Sequence, residues 1–250
     1  MFKYLLSLGL LAFFPVFAAA DFSYTTGGSV YVQDFDTLTT SSGASPWTDD
    51  TTLLGWFSSE TTYEGENGGN NAGGLYSFGT TASAERALGS IASGSNTPIT
   101  WALRLTNNTG STMNKFSITY DGEQWRRGSA TLNTLTFDYK NAGAVAIGDA
   151  GFTSVPQLNF ASPNLVGPTS SLDGNLPANR TAGITFTILG INWLAGEQLM
   201  LRFTDIDNGG ADQGMSIDNF SFSAVPEPST LLLGSLVSIG LVGVFRRRRV

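Results

Sequence analysis

The 250-residue chain carries a formal net charge of −7, with 13% charged and 41% hydrophobic residues, and contains neither cysteine nor histidine. Those two absences exclude disulfides, thiol nucleophiles, Ser-His-Asp and Cys-His catalysis, and the usual zinc centres. Lys3 and Arg246–Arg249 hold five of the 13 basic residues and Glu227 one of the 20 acids, so the span between them is near −11. Such a span disfavours nucleic acid and anionic surfaces as partners and suits divalent cations.

The chain opens on residues 1–20, MFKYLLSLGLLAFFPVFAAA, where Lys3 precedes an apolar stretch that ends in the small residues Ala18 and Ala20. This is a secretory signal peptide, with cleavage expected between Ala20 and Asp21. Short segments rich in β-branched and aromatic residues follow at 29–35, 99–107, 115–125, 132–140, 183–189, 197–205 and 215–224. Several alternate in polarity. Trp101, Leu103 and Leu105 fall on one face, as do Phe116, Ile118 and Tyr120, and Leu199, Leu201 and Phe203. Turn residues separate them, as in NNTG (107–110) and DNGGADQG (207–214), and no amphipathic helix is evident. Residues 21–225 therefore read as one all-β domain, an antiparallel β-sandwich of jelly-roll type. Residues 58–71 and 161–179 read as long surface loops.

Three groups of side chains in this domain suggest chemistry. Asp205, Asp207 and Asp212 alternate with glycines in DIDNGGADQG, a pattern able to gather oxygens around structural Ca²⁺, although an ordinary polar hairpin turn has the same composition. Trp47, Trp56 and Trp125, the last beside Arg126, offer flat faces and a donor for a glycan, or else pack in the core or at its rim. Glu85 and Glu123 are the pair a glycoside hydrolase or lyase would use. No E-x-D-x-E strand accompanies them, and salt bridges to Arg86, Arg126 or Arg127 are the simpler reading.

The chain ends VPEPSTLLLGSLVSIGLVGVFRRRRV. Residues 229–245 form an apolar run at the short end of the roughly 17–25 residues that span a bilayer. Arg246, Arg247, Arg248 and Arg249 place its end in the cytoplasm and the domain outside.

With Pro226, Glu227 and Pro228 ahead of the apolar run and arginines behind it, residues 226–250 resemble the PEP-CTERM sorting signal of exported bacterial proteins. The resemblance implies that the export machinery and an exosortase are partners. It also implies an intermediate anchored in the inner membrane, then delivery to the cell surface or extracellular matrix. In the domain, QDFDTL (33–38), GLYSFG (74–79), ERALGS (85–90), DGEQWR (121–126) and IDNFSFS (217–223) resemble lectin- or carbohydrate-binding-like jelly rolls. That likeness implies a binding or matrix fold without a reaction. It also implies a structural Ca²⁺ between Asp34 or Asp36 at the opening strand and Asp218 near the last, where turn and edge polar groups are the plainer alternative. The expected protein is non-enzymatic and exported, with exopolysaccharide as a candidate ligand. The alternatives are a polysaccharide-active enzyme and a purely structural, calcium-stabilised matrix component.

Overall fold

The computed structural model describes residues 22–129 and 131–226. The signal peptide, Glu227, Pro228, the apolar run 229–245 and the four arginines lie outside the described residues. Among the described residues sixteen strands succeed one another. They are β1 (Phe22–Tyr24), β2 (Tyr31–Gln33), β3 (Ser45–Pro46), β4 (Trp56–Ser58), β5 (Thr62–Glu66), β6 (Gly74–Phe78), β7 (Ala87–Ile91) and β8 (Ile99–Asn107). Then come β9 (Met113–Arg127), β10 (Thr134–Ala142), β11 (Thr153–Ser154), β12 (Phe160–Ala161), β13 (Ser170–Ser171), β14 (Arg180–Trp193), β15 (Gln198–Asp205) and β16 (Gly214–Val225). Among the described residues the helical content is one 3-10 turn, Pro156–Leu158.

The strands form two sheets. One runs β1-β8-β15-β10-β11, with β4 on β8 and β12 on β10; the other runs β13-β9-β16-β7-β6-β5-β3, with β14 on β9 and β2 on β16. Each expected strand has its counterpart, and β9 and β14 are longer than their alternating segments suggest. Two departures matter. β1 on β8 and β5 on β6 pair parallel, so the sandwich is not wholly antiparallel. The 58–71 segment is also not all loop, because Thr62–Glu66 is strand β5.

The core between the sheets is what the alternation specifies. Trp101, Leu103, Leu105, Leu199, Leu201 and Phe203 come from one sheet, and Phe116, Ile118, Tyr120, Ile217, Phe220 and Phe222 from the other; all are buried. Phe203 sits at the middle, with Trp101 stacked on it and Tyr120, Phe137 and Phe220 edge-on. Side chains on the opposite faces of the same strands build two smaller clusters. Tyr76, Phe78, Ala87, Ile91 and Trp125 cover the back of the nine-stranded sheet. Phe57, Ala102, Val145 and Met200 cover the back of the other, where the guanidinium of Arg104 lies 4.0 Å over the Phe57 ring.

Candidate functional site

On β9 the core face is Phe116, Ile118 and Tyr120, so two-residue alternation puts Asp121, Glu123 and Trp125 on the back of the sheet. The neighbouring strand β16 carries Met215 and Ile217 to the core and Asp218 to the back. A register shift between Asp218 and Ser221 follows, with Asn219 at φ +50°, a conformation asparagine tolerates better than most residues. This bulge sets Asp218 beside Asn219, whose Nδ2 donates to Asp218 Oδ2 (2.9 Å) and to Asp121 Oδ2 (3.0 Å). Glu85, two residues before β7, completes a group in which one oxygen each of Glu85, Glu123 and Asp218 lies within 4.8 Å of the others.

The surroundings hold these acids in place. Trp125 Nε1 donates to Glu123 Oε2 (2.9 Å), and Asn175 Nδ2 donates to Glu85 Oε2 (2.7 Å). Asn175 reaches Glu85 because the preceding turn lies flat on Trp125: a Cβ on Gly174 would stand 2.4 Å from the indole. On the tryptophan's backbone side, a Cβ on Gly68, already at φ +84°, would stand 1.8 Å from the Trp125 carbonyl oxygen. Arg180 from β14 pairs with Asp121, and its Nε is 4.0 Å from Glu123 Oε1. Glu123 is fully buried. Burial, then the charges of Asp218 and Glu85, push its carboxyl up to about 8 against the pull of Trp125 and Arg180. Asp218 is pushed up to about 7, first by burial and then by Glu85, Asp36 and Asp121.

The residues singled out from the sequence separate into distinct fates. Trp47, Trp56 and Trp125 are all buried, so none presents a ring face for a sugar, and the aromatic platform is corrected to core packing. Trp56 meets Phe35 and Phe220 edge-on and donates to Tyr31 Oη (2.8 Å); Trp47 meets Tyr63; Trp125 stacks on Phe78. Asp205 is turned inward, with both oxygens taken by Ser90, Ala92 N and Asn133, which removes it from a loop cation site. Asp218 stands with Glu85 and Glu123, and of the two opening acids Asp36 is the one whose charge reaches it. Asp34 caps the Asp36 amide at an exposed turn, and Asp36 Oδ1 accepts the Arg86 amide. The expected salt bridges are also redirected. The Arg86 guanidinium goes to Ser77, Arg126 to the carbonyls of Gly68 and Gly69, and Arg127 to Pro168 O, Asn164 and Ser170.

Asp207 and Asp212 remain together at a separate hollow of about 270 Å³ that also takes in Asn71, Ser93 and Arg126. Arg126 and Asp212 are both nearly buried there, and Arg126 Nε and Asp212 Oδ2 have no partner. Burial pushes Asp212 up to about 6, and Asp207 beside it adds to the effect. Arg180, Asn175 and Asn219 escaped the sequence reading. The D121/E123/W125 alternation in DGEQW was the available signal for a polar rear face.

Residues 224–249 match the PEP-CTERM protein-sorting motif, and β16 ends at Val225, so the motif begins as the chain leaves the last strand. That motif marks the chain for export and sorting. No curated protein matches the chain. Among solved structures it is similar to the CBM22-1 xylan-binding domain of Paenibacillus barcinonensis Xyn10C, at TM-score 0.37 and 10% identity over 82% of this chain and 99% of that one. It is also similar to the family 11 carbohydrate-binding module from Clostridium thermocellum, at 0.25 and 13% over 74% and 98%. The enzymatically active domain of bacteriophage CBA120 tailspike protein 4 matches at 0.36 and 9%, over 68% of this chain and 19% of that one. These are distant likenesses, and no ligand is inferred from them.

Proposed function

We propose that this chain, exported under its sorting motif, is a non-enzymatic protein of the cell surface or extracellular matrix whose sandwich binds polysaccharide. The observation that carries the export and sorting part of this reading is the motif over residues 224–249. Its arrangement supports an intermediate held in the inner membrane and cut by an exosortase close to Pro226, where the chain emerges exposed from β16. Intact mass of the protein recovered from the cell surface tests this. A chain ending between Pro226 and Thr230 is expected, and a mass running to Val250 overturns processing.

Two features support binding without catalysis. Glu123, the inner member of the Glu85–Glu123 pair, has no exposed surface with which to meet a glycosidic oxygen. The hollow at Arg126 and Asp212, by contrast, also presents the exposed Asn71 and the half-buried Asp207, donors and acceptors of the kind a sugar hydroxyl needs because it both accepts and donates. Replacing Asp212 with Asn removes a charged acceptor. Losing one such bond costs about 1.5–3 kcal/mol, so binding to the producing organism's exopolysaccharide should weaken about 10- to 100-fold. Retention on that polysaccharide, measured together with release of reducing sugar, checks both parts. Undiminished binding by Asp212→Asn moves the glycan elsewhere, and sugar release by the unmodified protein ends the non-enzymatic reading.

A further inference from the structure

Each acid of the rear-face group uses one oxygen and leaves the other idle. Asn175, Trp125 and Asn219 occupy Glu85 Oε2, Glu123 Oε2 and Asp218 Oδ2, whereas Glu85 Oε1, Glu123 Oε1 and Asp218 Oδ1 have no partner. Native interiors rarely leave one such acceptor unused, and here three neighbouring acids, with one oxygen each within 4.8 Å of the others, leave one apiece. Arg180 does not complete the group. Its Nη2 is committed to Asp121, and its Nε, 4.0 Å from Glu123 Oε1, is itself unpartnered. Glu123 is wholly buried and Asp218 is 4% exposed, so bulk water does not serve them.

Oxygens that bind one cation cannot stand farther apart than twice its bond length. Calcium bonds of about 2.3–2.6 Å allow a spread of up to about 5 Å. The three acids lie within 4.8 Å of one another. Glu85 is half-buried, the least enclosed of the three. We infer that Glu85, Glu123 and Asp218 form a divalent-cation site, wide enough for Ca²⁺, on the back of the nine-stranded sheet. Waters through the Glu85 side would complete the six to eight oxygens that calcium takes.

The site would have a structural consequence. Glu123 and Asp218 lie on adjacent strands, and Glu85 stands at the entrance to the next one, β7. Glu85 also holds Asn175, and with it the turn that rests on Trp125. A bound ion would therefore fasten three strands and that covering loop at a single point. It differs from the set of Asp205 at the end of β15 with Asp207 and Asp212 in the 207–214 turn, and it does not depend on what the sandwich binds.

Trp125 supplies a local reporter, because its indole donates directly to Glu123. Terbium takes the oxygen ligands of calcium and emits when a neighbouring tryptophan is excited. The full chain, stripped with chelator, should show tryptophan-sensitised terbium emission that saturates at one ion per chain and is displaced by Ca²⁺. Ca²⁺ in about 100-fold excess over its Kd should raise Tm by about 5–10 °C. Glu123→Gln should weaken Ca²⁺ binding at least about 10-fold. Asp207→Asn should leave it unchanged, and Trp125→Phe should keep the Ca²⁺ shift in Tm while losing most of the emission. Should Glu123→Gln not fold, Glu85→Gln at the half-buried rim makes the same comparison. The inference fails if the unmodified chain gains no Tm with Ca²⁺, if the folded Gln variants bind as tightly as the parent, or if Asp207→Asn abolishes binding.

Discussion

Trp125→Ala lowers Tm by about 6–20 °C. The indole is fully buried between the Phe78 ring, stacked at 6.2 Å, and the Gly174 turn. Truncating a buried tryptophan costs about 3–5 kcal/mol through lost transfer energy and the cavity left behind. At about 2–4 °C per kcal/mol for a domain of this size, that gives a fall of about 6–20 °C. A second loss adds to the first, because Glu123 Oε2 forfeits its donor while remaining buried. The prediction discriminates between two roles for one residue. A surface tryptophan that stacks on a sugar could be removed with little effect on stability and a large effect on binding. A tryptophan that packs under a loop behaves in the opposite way. Thermal unfolding of the variant beside the parent decides, and an unchanged Tm would return Trp125 to the surface.

The same residue shows how far the sequence could be read. Alternation in ITWALRLTN, KFSITYDGEQW and EQLMLRFTD located β8, β9 and β15 and chose their buried faces correctly, because each of these strands lies on a hydrophobic core and period two is dictated by the pleat. Alternation says nothing about whether the second face is also covered. Trp125 and Phe78 lie on that second face and are buried only because segments distant in sequence, around Gly68 and Gly174, fold over them. The acidic group is legible only in part, since the sequence pairs Glu85 with Glu123 while the jelly-roll resemblance sets Asp218 with Asp34 or Asp36. Glu85, Glu123 and Asp218 are separated by 38 and 95 positions, and only the strand order β9-β16-β7 makes them neighbours. Asp205, Asp207 and Asp212 lie close in sequence and looked the better cluster. The end of β15 turned Asp205 inward and divided them.

Asp205 is also a group through which stability should respond to pH. Its carboxyl is fully buried, with Oδ2 accepting from Ser90 Oγ (2.5 Å) and Ala92 N (3.1 Å) and Oδ1 from Asn133 Nδ2 (3.0 Å). Burial opposes ionisation more strongly than these donors favour it, and Asp212 adds its charge, so the group rises from 3.8 to about 7. The folded chain therefore holds a proton here that the unfolded chain gives up. Stability from this group is complete below about pH 3.8 and is lost as pH climbs towards 7, at no more than about 1.4 kcal/mol per pH unit. Over pH 5 to 7 the upper bound is about 3 kcal/mol, since the loss stops once the folded form ionises too. Ser90 can accept the carboxyl proton at Oδ2, which gives the protonated state a hydrogen bond of its own. Asp205→Asn removes the titration. Urea unfolding of parent and variant at half-unit steps between pH 5 and 7.5, in chelator, should give the parent the steeper decline. Parallel profiles would mean that the three donors hold Asp205 ionised throughout, and that its burial is fully compensated by hydrogen bonding.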